Sequence, residues 1–173
     1  MNMLIRYKFW PSLFCLALAF SASVAVSSLW AQDSWYEDSL TIERLSYQAW
    51  KLKNLQPDSA RLVAEDVISR ADQNDFPKGR ADGLHILGLL EWAEGDMTQA
   101  LDYYLDALSI RKSINDSLGL GRSHNNIGNV YFQLQQIDSA QVHYHRGMLI
   151  REQLEDIAGM IYYYSNLGEI ALA

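Results

Sequence analysis

Gly119-Leu120-Gly121-Arg122-Ser123-His124-Asn125-Asn126-Ile127-Gly128 returns 40 positions later as Gly159-Met160-Ile161-Tyr162-Tyr163-Tyr164-Ser165-Asn166-Leu167-Gly168. The same frame stands 40 positions earlier, from Gly79 to Gly88. Ala60, Ala100 and Ala140 keep the register, and Asp58, Thr98 and Asp138 precede them by two residues. Leu87, Ile127 and Leu167 each stand just before a glycine of the second set. A fixed period of this length marks a solenoid, whose units stack because none buries its apolar face alone. Such an architecture is a binding surface before it is a catalyst.

The repeating unit reads as a pair of helices. Ile127, Val130, Tyr131 and Leu134 fall at i, i+3, i+4 and i+7, one apolar stripe on a helix expected from Gly121 to Leu134. A short turn at Gln135-Gln136 follows, and Asp138 is read as opening the partner helix by accepting backbone N–H bonds. Asp58 and Thr98 are read alike. Gly88, Gly128 and Gly168 lie inside the first helix of each pair, where glycine costs about 1 kcal/mol relative to alanine. Close approach of the second helix offsets that cost, with Ala100 and Ala140 as the small partners and Tyr104, Tyr131 and Tyr144 filling the space between. Ala107 and Gly147 are a further matched small pair. Pro57 suits the first turn of a helix, and Pro77 is placed between repeats. No stretch alternates as a strand does, so the fold class is an all-α solenoid of antiparallel helix pairs.

The N-terminus has a different composition. Arg6 and Lys8 precede an uncharged run from Phe9 to Ala31, and Gln32-Asp33 follow. That pattern describes a secretory leader, 1–31, ending at Ala31 or nearer Ala25-Val26-Ser27. A retained anchor is the alternative, although Pro11 and four serines between Ser21 and Ser28 weaken the run. Either way the basic residues come first, which sends the remainder out of the cytoplasm, periplasmic or membrane-anchored. The one cysteine, Cys15, follows bulky Leu13 and Phe14, unlike a lipid-attachment site. Beyond residue 32 stand 12 Lys and Arg against 21 Asp and Glu, a net −9. A surface of that sign repels nucleic acid phosphates and anionic lipid headgroups, so no nucleic acid partner is expected and a membrane only through the N-terminal segment or a missing C-terminal part. A short acidic linker, 32–39, leads into the repeats.

Leu87-Gly88, Ala100, Tyr104 and Ala107, and again Asn126-Ile127-Gly128-Asn129-Val130-Tyr131, Ala140, Tyr144 and Gly147, resemble the tetratricopeptide repeat. Asp116-Ser117-Leu118-Gly119 and Asp156-Ile157-Ala158-Gly159 resemble the connection between units in the long, 40-residue variety of that family. The resemblance covers about 40–173, with units at 81–120 and 121–160. The unit 40–80 is degenerate, with Gln48 in place of the glycine and Lys51 in place of the aromatic. The unit from 161 to 173 has only its first helix, and this predicts exposed Leu167 and Ile170, a longer or truncated parent, and a surface for self-association. The resemblance implies a protein or peptide ligand held along the first helices of each pair. It places Arg122, Asn126, Asn129, Asn166 and Glu169 in that groove, with Ile86, Leu89 and Trp92 making one end apolar. It also implies the N-terminal sensory part of a bacterial signalling protein, of the histidine kinase, transcription regulator or cyclase kind. The alternatives are a free periplasmic adaptor or chaperone-like scaffold, and a fragment of an enzyme.

No catalytic constellation, cofactor or metal is expected within the chain. His143 and His145 are two apart on a helix and point to different sides, and no His-Glu-x-x-His occurs. Gly119-Leu120-Gly121 begins like a dinucleotide loop, but His124 stands where a third glycine belongs, and the stretch is read as an inter-repeat connection. The tyrosines at 103, 104, 162, 163 and 164 are assigned to packing. Asn115-Asp116-Ser117 matches a glycosylation sequon.

Overall fold

The computed structural model describes residues 35–172. The leader 1–31, its cleavage points and Cys15 lie outside the described residues. The chain divides into Met1–Asp38 and Ser39–Ala173. Of the first unit only 35–38 are described, and they are helical.

The second unit begins with helical residues 39–52, here α1. It continues through α2 (Pro57–Gln73), α3 (Pro77–Glu94), α4 (Met97–Ser113), α5 (Ser117–Gln133), α6 (Ile137–Gln153) and α7 (Ile157–Leu172). There is no strand among the described residues. From α2 onward each helix packs on the next, and α5 also reaches α7. This is a stack of helical hairpins, in which the odd-numbered helices are the first helices of each pair. No helix among the described residues is long and apolar enough to cross a membrane.

The turns repeat more strictly than the sequence does. Asp75, Gly95, Asn115, Gln135 and Glu155 all take positive φ, from 48° to 91°, one at the end of each helix from α2 to α6. The following residue then donates back to the sixth-last carbonyl of the turn, as Asp116 N does to Arg111 O at 2.9 Å and Gln136 N to Tyr131 O at 2.8 Å. That is a left-handed helix ending, and only one of the five positions uses glycine.

Helix starts differ from the sequence reading in three ways. Asp58, Thr98 and Asp138 are not caps, because α2, α4 and α6 each begin one residue before them. Asp58 and Asp138 lie inside the first turn, where a carboxylate still faces the positive end of the helix dipole. The true side-chain caps are Asp96, Asp116 and Asp156, accepting at 2.9 Å from the N–H groups of Gln99, Gly119 and Gly159. Gly119 to His124 lies within α5 and is no connection, since the Asp116 cap starts the helix at Ser117. Likewise Pro77 is the first residue of α3, where its missing N–H leaves no bond unmade.

The core follows the register. Gly88 and Gly128 do meet their partner helices closely. A Cβ on either would stand 2.5 Å from Cε1 of Tyr104 or Tyr144 respectively. Those rings are 1% and 2% exposed and pack with Ala100, Ile127 and Val130, and with Ala140, Tyr163 and Ile170. Gly168 has nothing within 4 Å of its Cβ position. Ile170, expected to be exposed, is buried at 8%, and Leu167 packs beside it. The reason is that α7 turns this stripe onto α6. Its exposed large apolar residues are instead Ile157, Ile161, Tyr162 and Tyr164.

Candidate functional site

Helices α1, α3, α5 and α7 line a groove of ≈ 570 Å³. Trp50 and Lys53 come from the α1 end, His85 and Leu89 from α3, Asn126 from α5 and Tyr162 from α7. An adjoining cleft of ≈ 440 Å³ shares Trp50, His85 and Arg122 with it and adds Tyr47 and Lys78. Trp50 and Tyr47 are 49% and 60% exposed, with rings 6.4 Å apart and nearly parallel. Lys53 Nζ lies 4.2 Å from the Trp50 ring centre, within cation–π range. Exposed aromatics of this size are unusual on a closed surface and mark contact sites.

The residues assigned to the groove from sequence divide. Arg122 and Asn126 line it. Asn129 lines a small neighbouring cleft of ≈ 60 Å³ with Leu89 and Trp92, and its Oδ1 accepts from Tyr144 Oη at 2.8 Å. Asn166 donates to Asn125 Oδ1 at 3.0 Å and to Asn129 Oδ1 at 3.2 Å, fastening α7 to α5. Glu169 is exposed on α7. Burial, and then the Glu169 charge, push the Tyr144 phenol up to about 12. Trp50 and Lys53 were not singled out from sequence because they belong to the degenerate unit, whose register is broken, and nothing in the repeat marked His85 or Asn125. Tyr162, assigned to packing from sequence, is instead 70% exposed and lines the groove, because α7 turns it away from α6.

Two arginines are buried here, Arg111 and Arg151, and Arg151 lines the groove. Arg111 is wholly buried and donates to Asp82 Oδ1 at 2.8 Å, Ser123 Oγ at 2.8 Å and the Gly119 carbonyl at 3.3 Å. Burial lowers its pKa and Asp82 raises it. Arg151 bonds Asp156 through Nη1. His85, packed against Tyr104 and near Arg111, is held well below its ordinary pKa, first by burial and then by Arg111, Arg122 and Lys53.

Elsewhere His124 Nδ1 meets His143 Nδ1 at 3.1 Å between α5 and α6. Burial, then His143 and Arg146, bring His124 down to about 4, and burial with Arg146 lowers His143. Both are therefore neutral in the folded protein at pH 7. The unfolded chain takes up their protons near pH 6.5, so stability is fully present above that pH and falls as pH drops toward 4. His85 acts in the same direction. The urea midpoint is expected to be lower at pH 5 than at pH 7.5, with His124→Gln reducing the difference. An equal midpoint at both values would disprove the buried pair. Among the described residues no group of three or more His, Cys, Asp and Glu is placed to hold a metal ion.

Stacked helical hairpins with small residues in register define a helical-repeat protein. The family model for the tetratricopeptide repeat matches residues 79–153, and that segment belongs to the tetratricopeptide repeat family. BtubC (BKLC) from P. vanneervenii, known from a crystal structure, is similar in fold, with a TM-score of 0.66 at 21% identity. The match covers 77% of this chain and 56% of that one, so the chain spans little more than half of that protein's length. No curated protein matches the chain. Repeats of this family imply a protein–protein interaction scaffold, and an all-helical fold of this kind is typically non-catalytic.

Proposed function

We propose that the groove across α1, α3, α5 and α7 takes an extended segment of a partner protein. The observation that carries this is the groove's lining. Trp50 at one end and Tyr162 at the other, 49% and 70% exposed, offer apolar faces, and the amides of Asn125 and Asn126 lie between them. An amide side chain both donates and accepts, which matches the backbone of an extended chain. Exposed aromatics supply most of the binding energy in such contacts. Peptides selected from a random display library on the full chain are expected to lose at least about 10-fold in affinity against Trp50→Ala, the size of a modest aromatic hot spot. Affinity unchanged by that substitution would place the binding surface elsewhere.

We further propose that the repeats work outside the cytoplasm as the ligand-sensing part of a signal-transduction protein. The leader-like run from Arg6 to Ala31 supports export, and the resemblance to sensory repeat regions supports the signalling role. Alkaline phosphatase fused after residue 40 is expected to be active in a bacterial host. An inactive but intact fusion would rule out export.

A further inference from the structure

Arg111 and Arg151 hold the same register position in successive repeats, and their surroundings differ in charge. Arg111 has Asp82 on Nη2 and Asp116 Oδ2 3.7 Å from Nε. Forty positions on, Arg122 stands in the register place of Asp82, and Tyr163 in that of Ser123. Arg151 is only 9% exposed, keeps the one carboxylate of Asp156, and has the Tyr163 hydroxyl beside it. That hydroxyl in turn donates to the Gly121 carbonyl. One repeat thus supplies a second carboxylate where the next supplies a cation.

Arg122 gains little from its neighbours. Its nearest carboxylate, Asp82, is 4.0 Å away and is already bonded to Arg111, and its side chain is 44% exposed. Lys53 faces the same groove, its ammonium over Trp50 and donating only to the Trp50 carbonyl at 3.4 Å. The acidic groups along the groove and its adjoining cleft, Asp156, Asp82 and Glu43, are all paired with Arg151, Arg111 or Lys78. A chain with a formal net charge of −7 therefore concentrates unneutralised positive charge in this groove. Burying a guanidinium without a full set of anionic partners is costly, so the arrangement favours an incoming anion.

We propose that the groove selects an acidic segment, seating an Asp or Glu carboxylate of the partner between Arg122 and Arg151. This rests on the peptide-groove reading above and names the chemistry that the groove selects. Guanidinium groups hold carboxylates through paired N–H donors, which fixes position as well as charge. Trp50 and Tyr162 then take the residues on either side of the acidic one.

The test is to select peptides from a random display library on the full chain and remake the best as synthetic peptides. Asp and Glu are expected to be enriched, and replacing the best-placed Glu by Gln should weaken binding at least about 10-fold, the discrimination of a charge-assisted pair. Arg122→Gln should weaken the acidic peptide equally and shrink the difference in affinity between the Glu and Gln peptides. Arg122→Asp rebuilds beside Arg151 the arrangement that Asp82 makes beside Arg111. It should abolish acidic-peptide binding while raising Tm by about 2–4 °C, a gain that simple damage to the fold cannot give. Neutral peptides that Trp50→Ala weakens would keep the groove and overturn the acidic assignment. A phosphoserine form binding far more tightly than the Glu form would overturn the carboxylate in favour of a phosphate. Failure to recover any peptide sensitive to Trp50→Ala would overturn the groove reading and this inference together.

Discussion

Arg111→Ala is expected to destabilise the chain by about 3–5 kcal/mol, the usual loss when one partner of a buried ion pair is removed. The substitution leaves Asp82 without its bond at 2.8 Å and deprives Ser123, fully buried, of its partner. It also opens a space under Gly119, whose Cβ position lies 2.7 Å from the Arg111 Cδ. Because α3, α4 and α5 all meet at this side chain, the loss falls at the centre of the stack. Domains of this size are stable by only about 5–15 kcal/mol in total, so a large part of that margin goes. Arg111→Lys should recover little, since an ammonium cannot reach Asp82, Ser123 and the Gly119 carbonyl from one planar group. Arg151→Ala is expected to lose less, because that side chain holds one carboxylate. Urea unfolding followed by circular dichroism measures all three. Equal losses at Arg111 and Arg151 would show that the Asp82 bond contributes nothing to stability.

The solenoid was legible because its signal is redundant: glycine, alanine and tyrosine return at matching places, and each return restates the same packing contact. The helix starts were less legible. Carboxylates two residues before the alanines look like caps, but α2 and α6 start at Pro57 and Ile137, with Gln56 and Gln136 at the cap positions making no side-chain cap bond, so Asp58 and Asp138 fall in the first turn. The turn at Gln135-Gln136 was legible in its place but not in its geometry, since Asp75, Gln135 and Glu155 give no sign of the positive φ they adopt. For the groove, the resemblance pointed to Arg122 and Asn126 but also to Asn166, which the fold uses to tie α7 to α5. Periodicity names a face of a helix. Whether a polar residue on that face meets a ligand or the next helix depends on how closely the helices approach, which the period does not encode.

Compensation between positions is a finer level of the same code. Val67, Ala107 and Gly147 share one register place, and Gly83, Ser123 and Tyr163 share the place opposite. Gly83 would meet Val67 Cγ1 at 3.2 Å if it carried a Cβ, and Gly147 lies under the Tyr163 ring. The bulk passes from one helix to its neighbour along the stack while the space between them stays filled, as close packing requires.

Gly128→Ala and Gly168→Ala, identical changes at one register position, are expected to act with opposite signs. Alanine gains up to about 1 kcal/mol over glycine in a helix interior at either place. At Gly128 the new methyl would stand 2.5 Å from Tyr144 Cε1 and 2.6 Å from Cδ1. The ring cannot move aside easily, being 2% exposed with its hydroxyl held by Asn129 at 2.8 Å. Overpacking of this kind costs about 1–3 kcal/mol, so the net result is a loss. At Gly168 the methyl meets nothing within 4 Å, and the propensity gain stands, reduced only by its nearness to the end of α7. Thermal unfolding of the two variants beside the parent should show Tm falling for Gly128→Ala and rising for Gly168→Ala. A rise in both would mean that the tyrosine ring does not press on α5. A fall in both would mean that Gly168 is covered in solution, which makes α7, with Ile161 and Tyr164 exposed beside it, the contact between copies of the chain. Raising the protein concentration separates the last case, because a covering second copy would make the Tm of the parent concentration-dependent.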